Sequence, residues 1–220
     1  MTKWSYSGIK QFETCPRQYH EIKVLKKYPR QETEQTLYGT RLHEQAELHI
    51  KDKRPLDADF KFMQPTMDAI NAMSGRKFTE YEMALDVNLR VCDFYSPDYW
   101  VRGIADLIII DDDNLSARCF DYKSGGDKYP DVDQLTLMSL LIFKFFPHIR
   151  TVSSGLLFVL RDTVFKHKVV RDQEQGLWWR YKERVARLEA AHTSGVWNPK
   201  KSGLCKKYCA VTSCEFNGNH

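Results

Sequence analysis

The stretch from Tyr81 to Val170 does most to constrain the fold. It opens with three strand-like runs, YEMALDVNLRVCDF, DYWVRGIADLIIID and SARCFDYKS, divided by the turn formers Ser96-Pro97 and Asp111-Asp112-Asp113-Asn114. Next comes VDQLTLMSLLIFKFF, too long and too apolar for a strand, which predicts a buried helix ending at Pro147. TVSSGLLFVL and TVFKHKVV then predict a hairpin across Arg161-Asp162. Upstream, Ser5 or Ser7 can cap a helix through IKQFETCPRQYHEI, with Ile9, Phe12 and Tyr19 near helical spacing and a break at Cys15-Pro16. A polar linker, KKYPRQETEQ, leads to a helix through LYGTRLHEQAELHI, and a third helix covers Gln64 to Met73. A long helix from Asp172 to His192 precedes a Gly/Pro/Lys segment and a cysteine-rich tail. Helices, mostly antiparallel strands, a helix, two strands and a helix make an α/β sandwich-like domain.

With 220 residues the chain fits one domain with at most a small appendage. Its formal charge of +4 permits a nucleic-acid partner without demanding one. No apolar run approaches the roughly 20 residues of a membrane span, and MTKWSYSGIKQFE lacks the apolar core of a secretory signal, so a cytoplasmic protein is expected.

Asp121-Tyr122-Lys123 lies on an expected strand, where side chains two apart share a face. An aspartate there can hold a divalent cation while the lysine orients water and stabilises negative charge. The same pair can equally be a surface salt bridge. Asp106 interrupts the apolar strand RGIADLIII, where an unpaired carboxylate costs several kcal/mol unless it meets a partner or a cation. It can also be a strand-end cap. Gly103 just before it leaves room for another backbone or a ligand. Gly39, His43 and Glu47 fall at i, i+4 and i+8 of a helix, which puts an imidazole on one face as a candidate ligand or half of a His–Glu pair. Gln134, near the start of the apolar helix, can bond the lysine or a phosphate, or cap the helix.

Three of the six cysteines, Cys205, Cys209 and Cys214, crowd the basic tail. Thiolates so spaced bind zinc or an iron–sulfur cluster, and both want a fourth ligand, for which Cys15 is the candidate, with His20 or His220 as substitutes. Cys92 and Cys119 read as buried strand residues.

His43, Asp106, Asp121-x-Lys123 and Gln134, in that order, resemble the PD-(D/E)xK nucleases of the RecB type, which include the nuclease domains of RecB and AddB and the CRISPR-adaptation exonucleases. The opening S-x-x-x-x-F-x-x-C-P-x-x-Y, at Ser7, Phe12, Cys15, Pro16 and Tyr19, is similar to theirs as well. The resemblance covers about residues 4 to 214. It implies a restriction-endonuclease-like α/β core, a mixed central sheet flanked by helices. It implies Mg²⁺ or Mn²⁺ on His43, Asp106, Asp121 and the Tyr122 carbonyl, with Lys123 positioning the water and Gln134 supporting it. It further implies a 4Fe–4S cluster on Cys15, Cys205, Cys209 and Cys214 that staples residues 1–30 and 195–220 beside a catalytic core of 31–194, together one nuclease domain. Relatives space the last three cysteines as C-x2-C-x5-C, and here the middle one is displaced by one residue. Relatives also carry a tyrosine four residues after the glutamine, where this chain has Met138.

The function implied is a metal-dependent DNA nuclease, a single-strand exonuclease of recombination, repair, phage replication or CRISPR adaptation. A helicase, recombinase or CRISPR-adaptation protein would be its partner. Candidate DNA contacts are Arg17, Tyr19, Arg41, Lys128 and Tyr129, since phosphates attract bases of this kind and nucleobases stack on rings. The competing expectations are a non-cutting module that binds DNA ends or a partner, and a zinc-stabilised nucleic-acid-binding protein with metal in the tail alone.

Overall fold

The computed structural model describes residues 2–28, 32–126, 128 and 130–218. The chain divides into two compact units, Met1–Gln31 with Trp179–His220, and Glu32–Trp178.

The terminal unit starts with α1 (Tyr6–Thr14), whose first turn is capped by Ser5 Oγ accepting from the Gly8 amide at 3.3 Å. Cys15 is extended, as the residue before a proline must be, and α2 (Pro16–Tyr19) begins on the proline and runs into a π-helical turn, His20–Val24. Trp197 gathers the rings of Phe12, Tyr19, His20 and His192 at centroid distances of 4.7–6.2 Å. Arg184 closes a two-pronged pair with Glu13 at 2.6 and 2.8 Å.

In the larger unit, α3 (Glu34–Asp52) is opened by Thr33 and Thr36, each side chain accepting from the other's amide. Leu42, Ala46, His49 and Ile50 form its buried stripe. A 3-10 turn, Ala58–Met63, leads into α4 (Gln64–Ala72). The strands β1 (Arg76–Leu85), β2 (Val91–Cys92), β3 (Val101–Asp111) and β4 (Ser116–Lys123) follow, then α5 (Val132–Phe145), the hairpin β5 (Thr151–Phe158) and β6 (Thr163–Val170), and α6 (Glu174–Ser194). β1 starts ahead of the expected run because Arg76, Lys77, Thr79 and Glu80 are polar and partly exposed, so their sequence carries no strand signal.

The six strands form one mixed sheet in the order β2-β1-β3-β4-β5-β6. All neighbours are antiparallel except β4 and β5, which run parallel because α5 carries the chain back between them. Leu42, Ala46, Phe60, Met63 and Met67 pack on one face of the sheet against Leu107, Ile109, Tyr122 and Leu157. On the other face Leu135 of α5 meets Leu156 and Phe158. With both faces covered, Leu107 to Ile110 are all buried, which explains why β3 reads as a continuous apolar run. Cys119 is buried on β4, as expected, while Cys92 is half-buried. Trp178 is buried, while its neighbour Trp179 is 65% exposed. Among the described residues no helix is long and apolar enough to cross a membrane.

Candidate metal centre

The pairing of β3 with β4 stops at Leu107–Phe120, one rung short of Asp106 and Asp121. In place of a further ladder bond, the Tyr122 amide donates to Asp106 Oδ2 at 2.7 Å. The pairing of β1 with β3 likewise skips the rung that would join Glu80 to Asp106, although the register is the same on either side. Glu80 has φ of +45°, a left-handed conformation costly for a non-glycine residue in a strand. Facing also changes here. Leu107 and Ile109 point toward α3 and α4, yet Gly103, of the same parity, faces Met138 of α5. The sheet is thus distorted where its acidic residues lie.

His43 of α3 brings Nδ1 to 3.3 Å from Asp106 Oδ2, with its ring edge-on to Tyr122. Gly39, one turn earlier, faces the loop after β4: a Cβ there would sit 3.2 Å from Ser124 Oγ. Asp121 is 7% exposed and engaged at both oxygens. Gln134 Nε2 donates to Oδ1 at 2.6 Å, and Lys123 Nζ lies 2.5 Å from Oδ2. Lys123 also donates to Gln134 Oε1 at 3.1 Å, which closes a triangle of three side chains. Burial and the Asp106 charge push the Asp121 carboxyl up to about 6 in spite of Lys123. Burial and the same aspartate push Glu80 up to about 7. Burial alone would lower the His43 pKa, but the hydrogen bond and charge of Asp106 outweigh it and raise the value. Each shift reports negative charge crowded into a poorly hydrated place.

His43, Asp106, Asp121, Tyr122, Lys123 and Gln134, singled out from sequence, all converge on this one place. Sequence reasoning missed Glu80, whose carboxylate lies with His43 and Asp106 in a group of ligand atoms all within 4.8 Å of one another. Lacking a motif and preceding the recognised strand run, Glu80 offered no signal of its own. The room beside Gly103, expected to admit another backbone or a ligand, is filled by side chains of α5: a Cβ there would lie 2.5 Å from Met138 Cε and 3.2 Å from Leu141 Cδ1. The donor set, an imidazole and several carboxylate oxygens, suits a hard or borderline divalent cation such as Mg²⁺ or Mn²⁺.

A cleft of about 1330 Å³, open solvent included, is lined by Glu34, Tyr38, Ser124, Gly125, Gly126 and Arg161 among others. Arg41 on α3 lies 3.7 Å from Asp59 and over the Phe60 ring. Lys128 is exposed in the loop after β4, and Tyr129 and His220 lie outside the described residues.

In the terminal unit, Cys15, Cys205, Cys209 and Cys214 line one cavity of about 410 Å³, open solvent included. The Lys200 amide donates to Cys15 Sγ and the Ser202 amide to Cys205 Sγ, both at 3.4 Å, and Gln18 Nε2 lies 3.6 Å from Cys209 Sγ. Arg17 lines the same cavity and donates to the Ser213 carbonyl, while Tyr19 is 8% exposed and packed against Trp197, which leaves its ring no open face for a base.

The profile of the PD-(D/E)XK nuclease superfamily matches residues 3–214. The chain belongs to that superfamily. PD-(D/E)XK nucleases use divalent metal ions, and their fold implies DNA as the substrate. A solved structure described as a candidate exonuclease from Eubacterium rectale is similar in fold, with a TM-score of 0.57 at 15% identity over 96% of this chain and 88% of that one. A structure named SSO0001 is 14% identical over 99% of this chain and 88% of that one, at a TM-score of 0.45. No curated protein sequence matches the chain significantly.

Proposed function

We propose that this PD-(D/E)XK nuclease is a Mg²⁺- or Mn²⁺-dependent deoxyribonuclease that removes nucleotides from the ends of single-stranded DNA. The observation that carries the reading is the convergence of Asp106, Asp121 and Lys123 at the interrupted rung between β3 and β4. His43, Asp106, Asp121 and the Tyr122 carbonyl would hold the cation, which supplies Lewis-acid stabilisation of the phosphate oxygens and a more acidic water. Lys123, fixed by Asp121 and Gln134, orients the attacking water and holds a positive charge near the developing phosphorane. Gln134 positions both partners, since it donates to one and accepts from the other. The cleft at the end of β4, lined by Arg161, Gly125 and Gly126 as well as Glu34, would give a strand a place to lie. Arg41 and Lys128 would meet phosphates, and Tyr129 a base. Such an enzyme would serve recombination, repair, phage replication or CRISPR adaptation, with a helicase or recombinase supplying the free strand.

The thiols of Cys15, Cys205, Cys209 and Cys214 would hold a 4Fe–4S cluster. Amide N–H groups aimed at two of the sulfurs suit a negatively charged thiolate–cluster assembly. Anaerobically purified protein should be brown and contain iron, and a colourless protein with stoichiometric zinc would refute the cluster. For the reaction, the test is a pair of matched single-stranded DNAs, one linear and one circular, incubated with Mg²⁺ or Mn²⁺. Degradation of the linear form alone supports an exonuclease. Equal cutting of both forms makes it an endonuclease, and cutting of neither by cluster-loaded protein leaves a DNA-binding module.

A further inference from the structure

The face of the sheet toward α3 and α4 is covered unevenly. Tyr122 and Leu157 are buried in the core there, but farther along β4, β5 and β6 the same face is open. Alternation puts Arg118 and Phe120 of β4, Ser153 and Gly155 of β5, and Lys166 and Lys168 of β6 on that side. The opposite side belongs to α5, where Leu135 meets Leu156, Phe158 and Phe165, and where His167 Nε2 lies 2.9 Å from Thr136 Oγ1. Arg118, Ser153 and Lys168 stand in register across the three strands, and Lys166 stands in the next row, opposite Gly155. Ser153, Lys166 and Lys168 are exposed, and Arg118 is half-buried.

Three cations thus share one open face, with backbone positions about 7 Å apart along a strand and about 10 Å apart across the sheet. No acid of these strands faces them. Asp121, the sole carboxylate of the three, points to Gln134 of α5. Asp111, beside this face at the end of β3, has its carboxylate engaged by Asn114. Among the described residues no hydrogen bond or ion pair engages the side chains of Arg118, Lys166 or Lys168. Lysines on an edge strand can serve simply to stop other strands from adding to it. That role does not account for Arg118, because β4 is an interior strand between β3 and β5. The cations also lead somewhere. Beyond Lys168 and Lys166, β6 begins at the hairpin turn whose Arg161 lines the cleft at the end of β4, together with Ser124, the residue after Lys123.

We infer that the open face of β4, β5 and β6 is a second DNA-binding surface, on which Arg118, Lys166 and Lys168 hold the phosphate backbone outside the catalytic centre. This rests on DNA as the substrate and adds to it a place where the strand is gripped away from the reacting bond. Of the polyanions that three unpaired cations attract, DNA is the one this nuclease fold acts on, and the cations run along β6 toward the cleft at the end of β4. Contacts to phosphates carry no sequence information, so the face holds any sequence, and its grip weakens steeply with salt. A strand held there stays on the enzyme between cuts, which suits removal of successive nucleotides.

The test is binding of fluorescein-labelled oligothymidine and of a labelled duplex to the intact protein, read by anisotropy over a range of salt, in EDTA so that nothing is cut. Arg118→Gln, the pair Lys166→Gln with Lys168→Gln, and all three together are compared with Arg90→Gln, a control beyond the other edge of the sheet. Each variant is first shown by circular dichroism to be folded. Each lost phosphate contact lowers the slope of log affinity against log salt by about 0.7 for a single strand and about 0.9 for a duplex. The triple variant should therefore flatten the slope by about two or more and bind at least about tenfold more weakly at low salt. Lys166→Arg with Lys168→Arg, which keeps the charge, should keep the native slope, as should Arg90→Gln. If loss of the edge lysines makes the chain aggregate, Arg118→Gln alone, away from the edge, still reads the contact. Native slope and affinity in the triple variant overturn the proposal and leave the nuclease reading intact. Poly-glutamate that displaces the DNA at equal charge would make the face a site for acidic protein and also overturn it. Failure of the native protein to bind either DNA would sink the nuclease reading and the proposal together.

Discussion

At the scale of single residues, Lys123 is the group whose surroundings are most restrictive. Its ammonium is held by Asp121 and Gln134, so it can be removed without taking away a proposed metal ligand. Lys123→Ala should lower the rate of DNA cutting by about 10²- to 10³-fold, the usual loss for one preorganised charge-stabilising donor. Mn²⁺ affinity measured on the same sample should change little. The carboxylates make a separate prediction about pH. Glu80 is raised to about 7 and Asp121 to about 6, both above their unfolded values. Between those unfolded values and the raised ones the folded protein holds protons that the unfolded chain has released, so stability falls as pH rises through the window. Metal-free protein should therefore show a denaturation midpoint that declines from about pH 4.5 to about pH 7, and saturating Mn²⁺ should flatten the decline. A metal-free midpoint that rises over that range would contradict the strained-carboxylate account. These residues differ in how far the sequence announced them. Asp121 and Lys123 are two apart on a strand, and Asp106 is an acid in an apolar run. Glu80 becomes visible only when β1 and β3 are paired, because what marks it is an opposed partner 26 positions away.

At the scale of elements, α5 is the support on which the site depends, because it carries Gln134. Arg171, just before α6, ties down its far end. The guanidinium donates to the carbonyls of Phe143, Phe146 and Ile149 at 2.7–3.2 Å, lies over the Phe143 ring and pairs with Glu174. Arg171→Ala would leave carbonyls at a helix C-terminus without a donor and remove a charge partner from half-buried Glu174. It should cost about 2–4 kcal/mol in a urea titration, and a loss below about 0.5 kcal/mol would show that water replaces the guanidinium. Most elements were legible from local pattern. The apolar length of α5, the break at Cys15-Pro16 and the β5–β6 hairpin match the expected segments. The parallel pairing of β4 and β5 and the early start of β1 were not legible. The first depends on where a helix returns the chain, and the second on polar residues held in a strand by their neighbours alone.

For the whole molecule, the four-cysteine cavity and the acidic centre belong to different compact units, so they can be tested apart. Metal binding to the four thiols of the terminal unit would contribute directly to its folding. Cys209→Ser should bleach the visible absorbance and lower the thermal midpoint, with protease cleavage appearing first in the terminal segments. An unchanged midpoint would mean that the ring cluster around Trp197 holds that unit together without the cysteines.

The central claim is that Asp106, Asp121 and Lys123 form a metal-dependent centre that hydrolyses DNA. Its most direct test is release of nucleotides from 5′- and 3′-labelled single-stranded DNA by the intact protein with Mg²⁺ or Mn²⁺, beside EDTA and Lys123→Ala. The account predicts metal-dependent release that EDTA stops and that Lys123→Ala nearly abolishes. Equal release by the native protein and Lys123→Ala, or release that persists in EDTA, would contradict it.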